Sequence, residues 1–122
     1  MPIHIQKHAR LAPEKGDGYR LLVTRYWLRG LKRDAISLWL KELAPSKALL
    51  AEYKEIGDNV QWRVKYREEM KDQQEAIDDL ARRHLKGQTL TLLCACHSPV
   101  NCHRTILAEL IEVATVLIND RA

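Results

Sequence analysis

Apolar residues follow two rhythms along this chain. Ile3 and Ile5 alternate with His4 and Gln6, the period of two that predicts a strand over Ile3 to His8. Leu21-Leu22-Val23, within Tyr19 to Thr24, and Leu92-Leu93, within Thr89 to Cys94, are short unbroken apolar runs. Runs of that kind predict strands buried on both faces. Elsewhere the period lengthens. Trp62, Tyr66, Met70, Ile77, Leu80 and Ala81 recur at helical spacing and predict one long helix from about Asn59 to Leu85. Val100, Leu107, Leu110, Ile111, Ala114, Leu117 and Ile118 mark the inner face of a last helix.

Turn residues divide these segments. Ala12 to Gly18, with a proline, two glycines and three charges, reads as a loop, and Arg25 to Gly30 as a second loop closing on glycine. Asp34 to Leu43 fits both periods: Ile36, Leu38 and Leu40 alternate, whereas Trp39 and Leu43 also suit a helix. Ala44-Pro45-Ser46 ends it, because the residue before proline avoids the helical region. Ser46 predicts the N-cap of a short helix to about Lys54, and Gly57-Asp58-Asn59 a turn. Gly87 is placed to close the long helix. Ser98, with Pro99 at the first helical position, predicts the start of the last one. The order is strand, strand, an undetermined segment, helix, helix, strand, helix. It predicts an α/β fold: one small domain over residues 1–122, a short, mostly parallel sheet flanked by helices, and a closing strand-turn-helix.

Composition narrows the function. A chain of 122 residues can bury one core. Its polar-interrupted start does not read as a signal peptide, and its apolar stretches are far shorter than the roughly 18–20 residues of a membrane span. No membrane partner is expected. The expected location is the cytoplasm, where three cysteines stay reduced. Net charge is +4, only mildly basic. Arg20, Arg25, Arg29, Lys32 and Arg33 precede any acid until Asp34, whereas acids prevail from Glu52 to Asp79. An anion-attracting surface is therefore expected in the first third of the chain and around Arg104, with a merely solvated face as the alternative.

Chemistry concentrates between Cys94 and Arg104. All three cysteines and two of the five histidines lie in these eleven residues, at a strand-to-helix turn. Ligand sites in α/β proteins sit beyond the carboxyl ends of strands. One reading is an anion site. The helix start, Ser98 and Arg104 would hold phosphate, sulfate or carboxylate, and the helix dipole would favour a reactive Cys102 thiolate beside His103. The spacing is not the Cys-x5-Arg of tyrosine phosphatases: Arg104 stands two residues too far from Cys96, and position 100 is valine. A second reading makes Cys94, Cys96, His97, Cys102 and His103 ligands of zinc. Against it, Cys-x-Cys on a strand is not the usual Cys-x2-Cys knuckle, so no cofactor is favoured. A third reading is structural, with cysteine, Cys94 above all, as a small buried hydrophobe.

The Arg25-Tyr26-Trp27-Leu28-Arg29-Gly30 loop follows an apolar strand in the same way. Arginine forks grip phosphate or carboxylate, and tryptophan offers a stacking face. The loop would form a second wall of one pocket; alternatively Trp27 anchors the core and the arginines pair with acids of the long helix.

Asp17-Gly18-Tyr19-Arg20-Leu21-Leu22-Val23, Arg25-x-Trp27-x-Arg29-Gly30 and Trp39-x-Lys41-x-x-Ala44-Pro45-Ser46, with Tyr66-x-x-Glu69 and Leu92-Leu93-Cys94 before Cys102-His103-Arg104, resemble the domain of unknown function 488 family, the YeaO-like proteins. The resemblance runs over nearly the whole chain. It implies a small cytosolic α/β protein without an agreed activity, and a composite pocket lined by Arg25, Trp27, Arg29, Lys41, Ser46 and Cys102-His103-Arg104. This chain departs from the family pattern at Leu28, where proline is usual, and at Thr24, where aspartate is common. It also has Cys96-His97 about where many members carry an acid. Those losses weaken a general acid-base role and favour metal or redox chemistry.

Together these features give an anion- or nucleotide-type ligand pocket built from the Arg25–Gly30 loop and the Cys94–Arg104 turn, with turnover left open. Arg25, Trp27, Arg29, Lys41, Ser46, Ser98 and Arg104 are its expected ligand contacts, and Cys102 and His103 its reactive groups. Two alternatives stand beside it. One is a nucleic-acid-associated accessory protein, from the basic run and its aromatics. The other is a metal-binding or redox module using the Cys/His cluster. The chain has no P-loop, dinucleotide glycine motif or paired catalytic carboxylates.

Overall fold

A computed structural model describes residues 3–57, 59–95 and 102–121. Strands β1 (Ile3–His4), β2 (Tyr19–Leu22), β3 (Leu38–Trp39) and β4 (Leu90–Leu93) form one sheet in the order β1-β4-β2-β3. Every pairing is parallel. Helices α1 (Lys47–Ile56), α2 (Val60–Lys71), α3 (Gln74–Leu85) and α4 (His103–Arg121) complete an α/β fold that ends in a strand followed by a helix. Among the described residues no helix is long and apolar enough to cross a membrane.

The central strands explain their own sequences. Leu21, Leu90 and Leu92 pack with Trp62, Tyr66, Met70, Ile77, Leu80, Leu107 and Ile111, so helices cover that face of the sheet. Leu22 and Leu93 point the other way, against Ala9, Trp27, Leu28, Leu31 and Ile36. A sheet covered on both faces needs unbroken apolar runs rather than alternation. Gly18 lets β2 start beside β4: its φ is +62°, and a Cβ there would stand 2.3 Å from the Thr89 carbonyl oxygen.

Several boundaries agree with the sequence. The Ser46 side chain accepts the Leu49 N–H and caps α1; Asn59 does the same for Trp62 at the start of α2. Gly87 follows α3 with φ +89°. The strand expected over Ile3 to His8 is laddered only at Ile3–His4, with one further bridge from His8 to Cys94. The undetermined segment holds the two-residue edge strand β3 between the 3-10 turns Arg33–Ala35 and Lys41–Leu43.

Other expectations are corrected. The single long helix is two, α2 and α3, broken where the Asp72 and Gln73 N–H groups turn back to Glu69 and Met70. Met70 and Ile77 are seven apart, a spacing that keeps one buried face with or without a break, and no glycine or proline marks the turn. On α4, Leu117 is 49% exposed, whereas Ile106 is buried, as are His103 and Arg104. Val100, Ser98 and Pro99 lie outside the described residues. Arg20 does not join a basic surface. It is buried against Asp17, and its Nε and Nη2 donate to Ala35 O (2.7 Å) and Leu11 O (2.9 Å), because a buried guanidinium must be paired and bonded.

Candidate functional site

Neighbouring parallel strands deliver their carboxyl ends to the same edge of the sheet. β2 continues into Val23-Thr24-Arg25, and β4 into Cys94-Ala95. Helix α4 begins at this edge, with Cys102 directly before its first residue, His103. Cys94, Cys102 and His103 are all buried, and one donor atom from each lies within 4.8 Å of the others.

Hydrogen bonds fix the roles of these groups. His103 Nε2 is 2.7 Å from the Val23 carbonyl oxygen. A carbonyl only accepts, so Nε2 carries a hydrogen and donates it there. Nδ1 stands 3.6 Å from Cys102 Sγ. Arg104 Nε donates to the same sulfur at 3.3 Å, and its Nη1 donates to Lys7 O at 2.6 Å.

An aromatic column supports the histidine from the helical side. The Tyr66 ring meets His103 edge-on at 5.6 Å and stacks on Trp62 at 5.8 Å, and Tyr53 follows at 5.0 Å from Trp62. Tyr66 donates its hydroxyl to Leu43 O at 2.7 Å. Burial, then negative charge on Cys102, Cys94 and Glu69, pushes its ionisation well above the usual tyrosine range, so it stays a donor.

Beside the cluster lies a cavity of about 310 Å³, whose walls include Arg25, Tyr26, Leu28, Tyr53, Trp62, Cys94 and His103. Arg25 is held in that wall by donation from Nε to Pro45 O (3.0 Å) and from Nη2 to Ala44 O (3.2 Å). Both acceptors are carbonyls, and among the described residues no carboxylate pairs with it. The expected pairing of Arg25 with acids of the long helix does not form.

The structure therefore brings together Arg25, Cys94, Cys102 and His103, and places the other expected contacts that it describes outside the cavity wall. Trp27 lies against the far face of the sheet, donates Nε1 to Leu31 O and meets Trp39 edge-on at 5.5 Å. Arg29 is exposed and outside the cavity wall. Lys41 sits over the Trp39 ring at 5.5 Å. Ser46 caps α1 and donates its hydroxyl to Glu69, which also accepts the Ser46 N–H at 2.9 Å. Arg104 is 1% exposed, so it braces Cys102 and Lys7 rather than clamping a ligand from solvent. Ser98, Cys96 and His97 lie outside the described residues. The aromatic column of Tyr53, Trp62 and Tyr66, of which Tyr53 and Trp62 line the cavity, was not expected at the site. Trp62 and Tyr66 are four apart on a helix, a spacing that reads equally well as core.

An α/β protein with a Cys-Cys-His cluster at its strand ends, beside an arginine-walled cavity, is the class that fold and site define. Residues 3–115 match the family model DUF488-N3a, described as the active DUF488-N3 subclade, and the chain belongs to the DUF488 family. Among its relatives, the uncharacterized protein YeaO of Escherichia coli (strain K12) is 34% identical over 102 residues, covering 79% of this chain and 85% of the relative. The uncharacterized protein Rv3073c of Mycobacterium tuberculosis (strain ATCC 25618 / H37Rv) is 32% identical over 100 residues, covering 79% and 82%. No solved structure gives a significant match.

Proposed function

We propose that this chain binds a small cytoplasmic molecule with one anionic group and an apolar, ring-like body, in the cavity between the Arg25–Gly30 loop and the Cys94–His103 cluster. One observation carries the reading: Arg25, Cys94 and His103, from three separate stretches of chain, line the same cavity of about 310 Å³ at the carboxyl ends of β2 and β4. That volume is at the lower end of the roughly 300–1,000 Å³ typical of small-ligand sites. Arg25 supplies the charge, and Tyr53, Trp62 and Leu28 supply apolar walls suited to a ring. The basic run offers less to nucleic acid than its sequence promised, because Arg20 is buried against Asp17.

Nucleoside monophosphates and aromatic carboxylates are the probes, read by calorimetric titration and thermal shift. Arg25→Ala is expected to weaken binding by about tenfold or more, the loss of one charge-assisted contact. Arg25→Lys should recover part of it, since lysine keeps the charge without the fork. Equal affinity in wild type and Arg25→Ala, or no binding by either probe class, would sink the reading.

A further inference from the structure

We infer that Cys94, Cys102 and His103 form a mononuclear zinc site whose open coordination position faces the cavity. The three donors come from the end of β4 and the start of α4 and converge to within 4.8 Å of one another, all of them buried. Zinc–sulfur and zinc–nitrogen bonds of about 2.3 Å and 2.05 Å at a tetrahedral angle place S and N about 3.5 Å apart. Cys102 Sγ and His103 Nδ1 are 3.6 Å apart.

The surroundings agree with that assignment. A metal-bound imidazole usually donates its other N–H to a carbonyl or carboxylate, which fixes the ring. His103 Nε2 does this to Val23 O at 2.7 Å. Arg104 Nε–H on Cys102 Sγ is the matching outer bond on the sulfur. Two thiolates and an imidazole are a soft donor set that selects zinc over magnesium or calcium. Two thiolates also balance the charge of a zinc ion, so the group can be buried.

Among the described residues three protein ligands converge, which leaves one position for water or a ligand, the arrangement of catalytic rather than structural zinc. Cys94 and His103 line the cavity, so that position opens onto it. The ion site stands on the cluster alone; only the use of its open position by a ligand rests on the reading under Proposed function.

Metal analysis and native mass spectrometry on protein purified with its thiols reduced should find one zinc per chain. Cobalt substitution should give the thiolate charge-transfer band and intense visible bands of a four-coordinate site. Cys94→Ser and His103→Gln should each weaken zinc binding by at least about tenfold in competition with a chromophoric chelator. If these variants do not fold, the wild-type cobalt titration decides. Folded wild-type protein that takes up neither ion, or freshly isolated protein with Cys94 and Cys102 joined as a disulfide, overturns the site. Loss of zinc from Cys96→Ser or His97→Ala overturns the open position. Arg25→Ala should keep its zinc. Zinc without binding of any nucleoside monophosphate or aromatic carboxylate leaves the ion site standing and removes the ligand reading; binding of such a probe by folded protein that takes up neither zinc nor cobalt does the reverse.

Discussion

Asp17 is buried between Lys7, whose Nζ is 2.8 Å from one carboxylate oxygen, and the Arg20 guanidinium on the other. Burial alone would raise its pKa. Lys7, the Glu14 backbone N–H and Arg20 outweigh that effect and hold it at about 2, against an ordinary 3.8. A folded-state pKa below the unfolded one means the unfolded chain binds the proton more tightly. The stabilisation is therefore complete above about pH 4 and is lost as pH falls toward about 2. The gap amounts to about 2 kcal/mol. Urea denaturation between pH 5 and 2 is expected to show this loss in the wild type and a flatter acid limb in Asp17→Asn; equal slopes would remove Asp17 as the cause. None of this was legible in the sequence. Asp17 and Arg20 stand three apart in a loop and a strand, so Arg20 counted simply as one charge of a basic run. A side chain's charge is plain in a sequence, but its counter-ion is set by tertiary packing.

Between elements, Ser46 has two partners at once. Its oxygen accepts the Leu49 N–H at 3.2 Å at the start of α1, and its hydroxyl donates to Glu69 on α2. One small residue thus satisfies a helix end and joins two helices beneath the aromatic wall. Ser46→Ala removes the cap and leaves Glu69 only the Ser46 N–H. It is expected to lower stability by about 1–2 kcal/mol by chemical denaturation, with ligand and metal affinity changed less than about twofold. A large loss of affinity at unchanged stability would instead return Ser46 to the ligand contacts. The cap was legible because Ser after Ala-Pro at the head of an apolar-periodic segment has few other uses. The break between α2 and α3 was not, because Asp72-Gln73 contains no residue that forbids helix and the buried stripe passes through it in step. Edge strand β3 was ambiguous for a related reason: two residues are too few to establish a period.

Across the whole molecule, Arg104 joins the last helix to the first strand's continuation. Its Nη1 bonds Lys7 O, 97 positions away, while Nε holds the sulfur of Cys102. The sequence placed this arginine correctly at a strand-to-helix turn and inferred an anion clamp from it. The arginine faces inward because it stands three and seven residues before Leu107 and Ile111, on the buried face of α4. The meeting of the two strand ends was legible in outline. Two strand ends, each followed by polar chemistry, had to meet if their strands were parallel neighbours, and Arg25 does share a cavity with Cys94 and His103. Which face each side chain would take depended on strand order, which local pattern does not encode. Because Arg104 spans the N- and C-terminal ends of the fold, replacing it should act on global unfolding rather than on one element. Arg104→Met strands the Lys7 carbonyl and removes the cation beside Cys102, and is expected to cost about 2–4 kcal/mol. Circular dichroism and tryptophan fluorescence should shift together in a single urea transition. Two separated transitions would mean that the Lys7–Arg104 link stabilises only its own corner, and a change below about 0.5 kcal/mol would mean that the buried guanidinium is replaceable by any side chain of its volume.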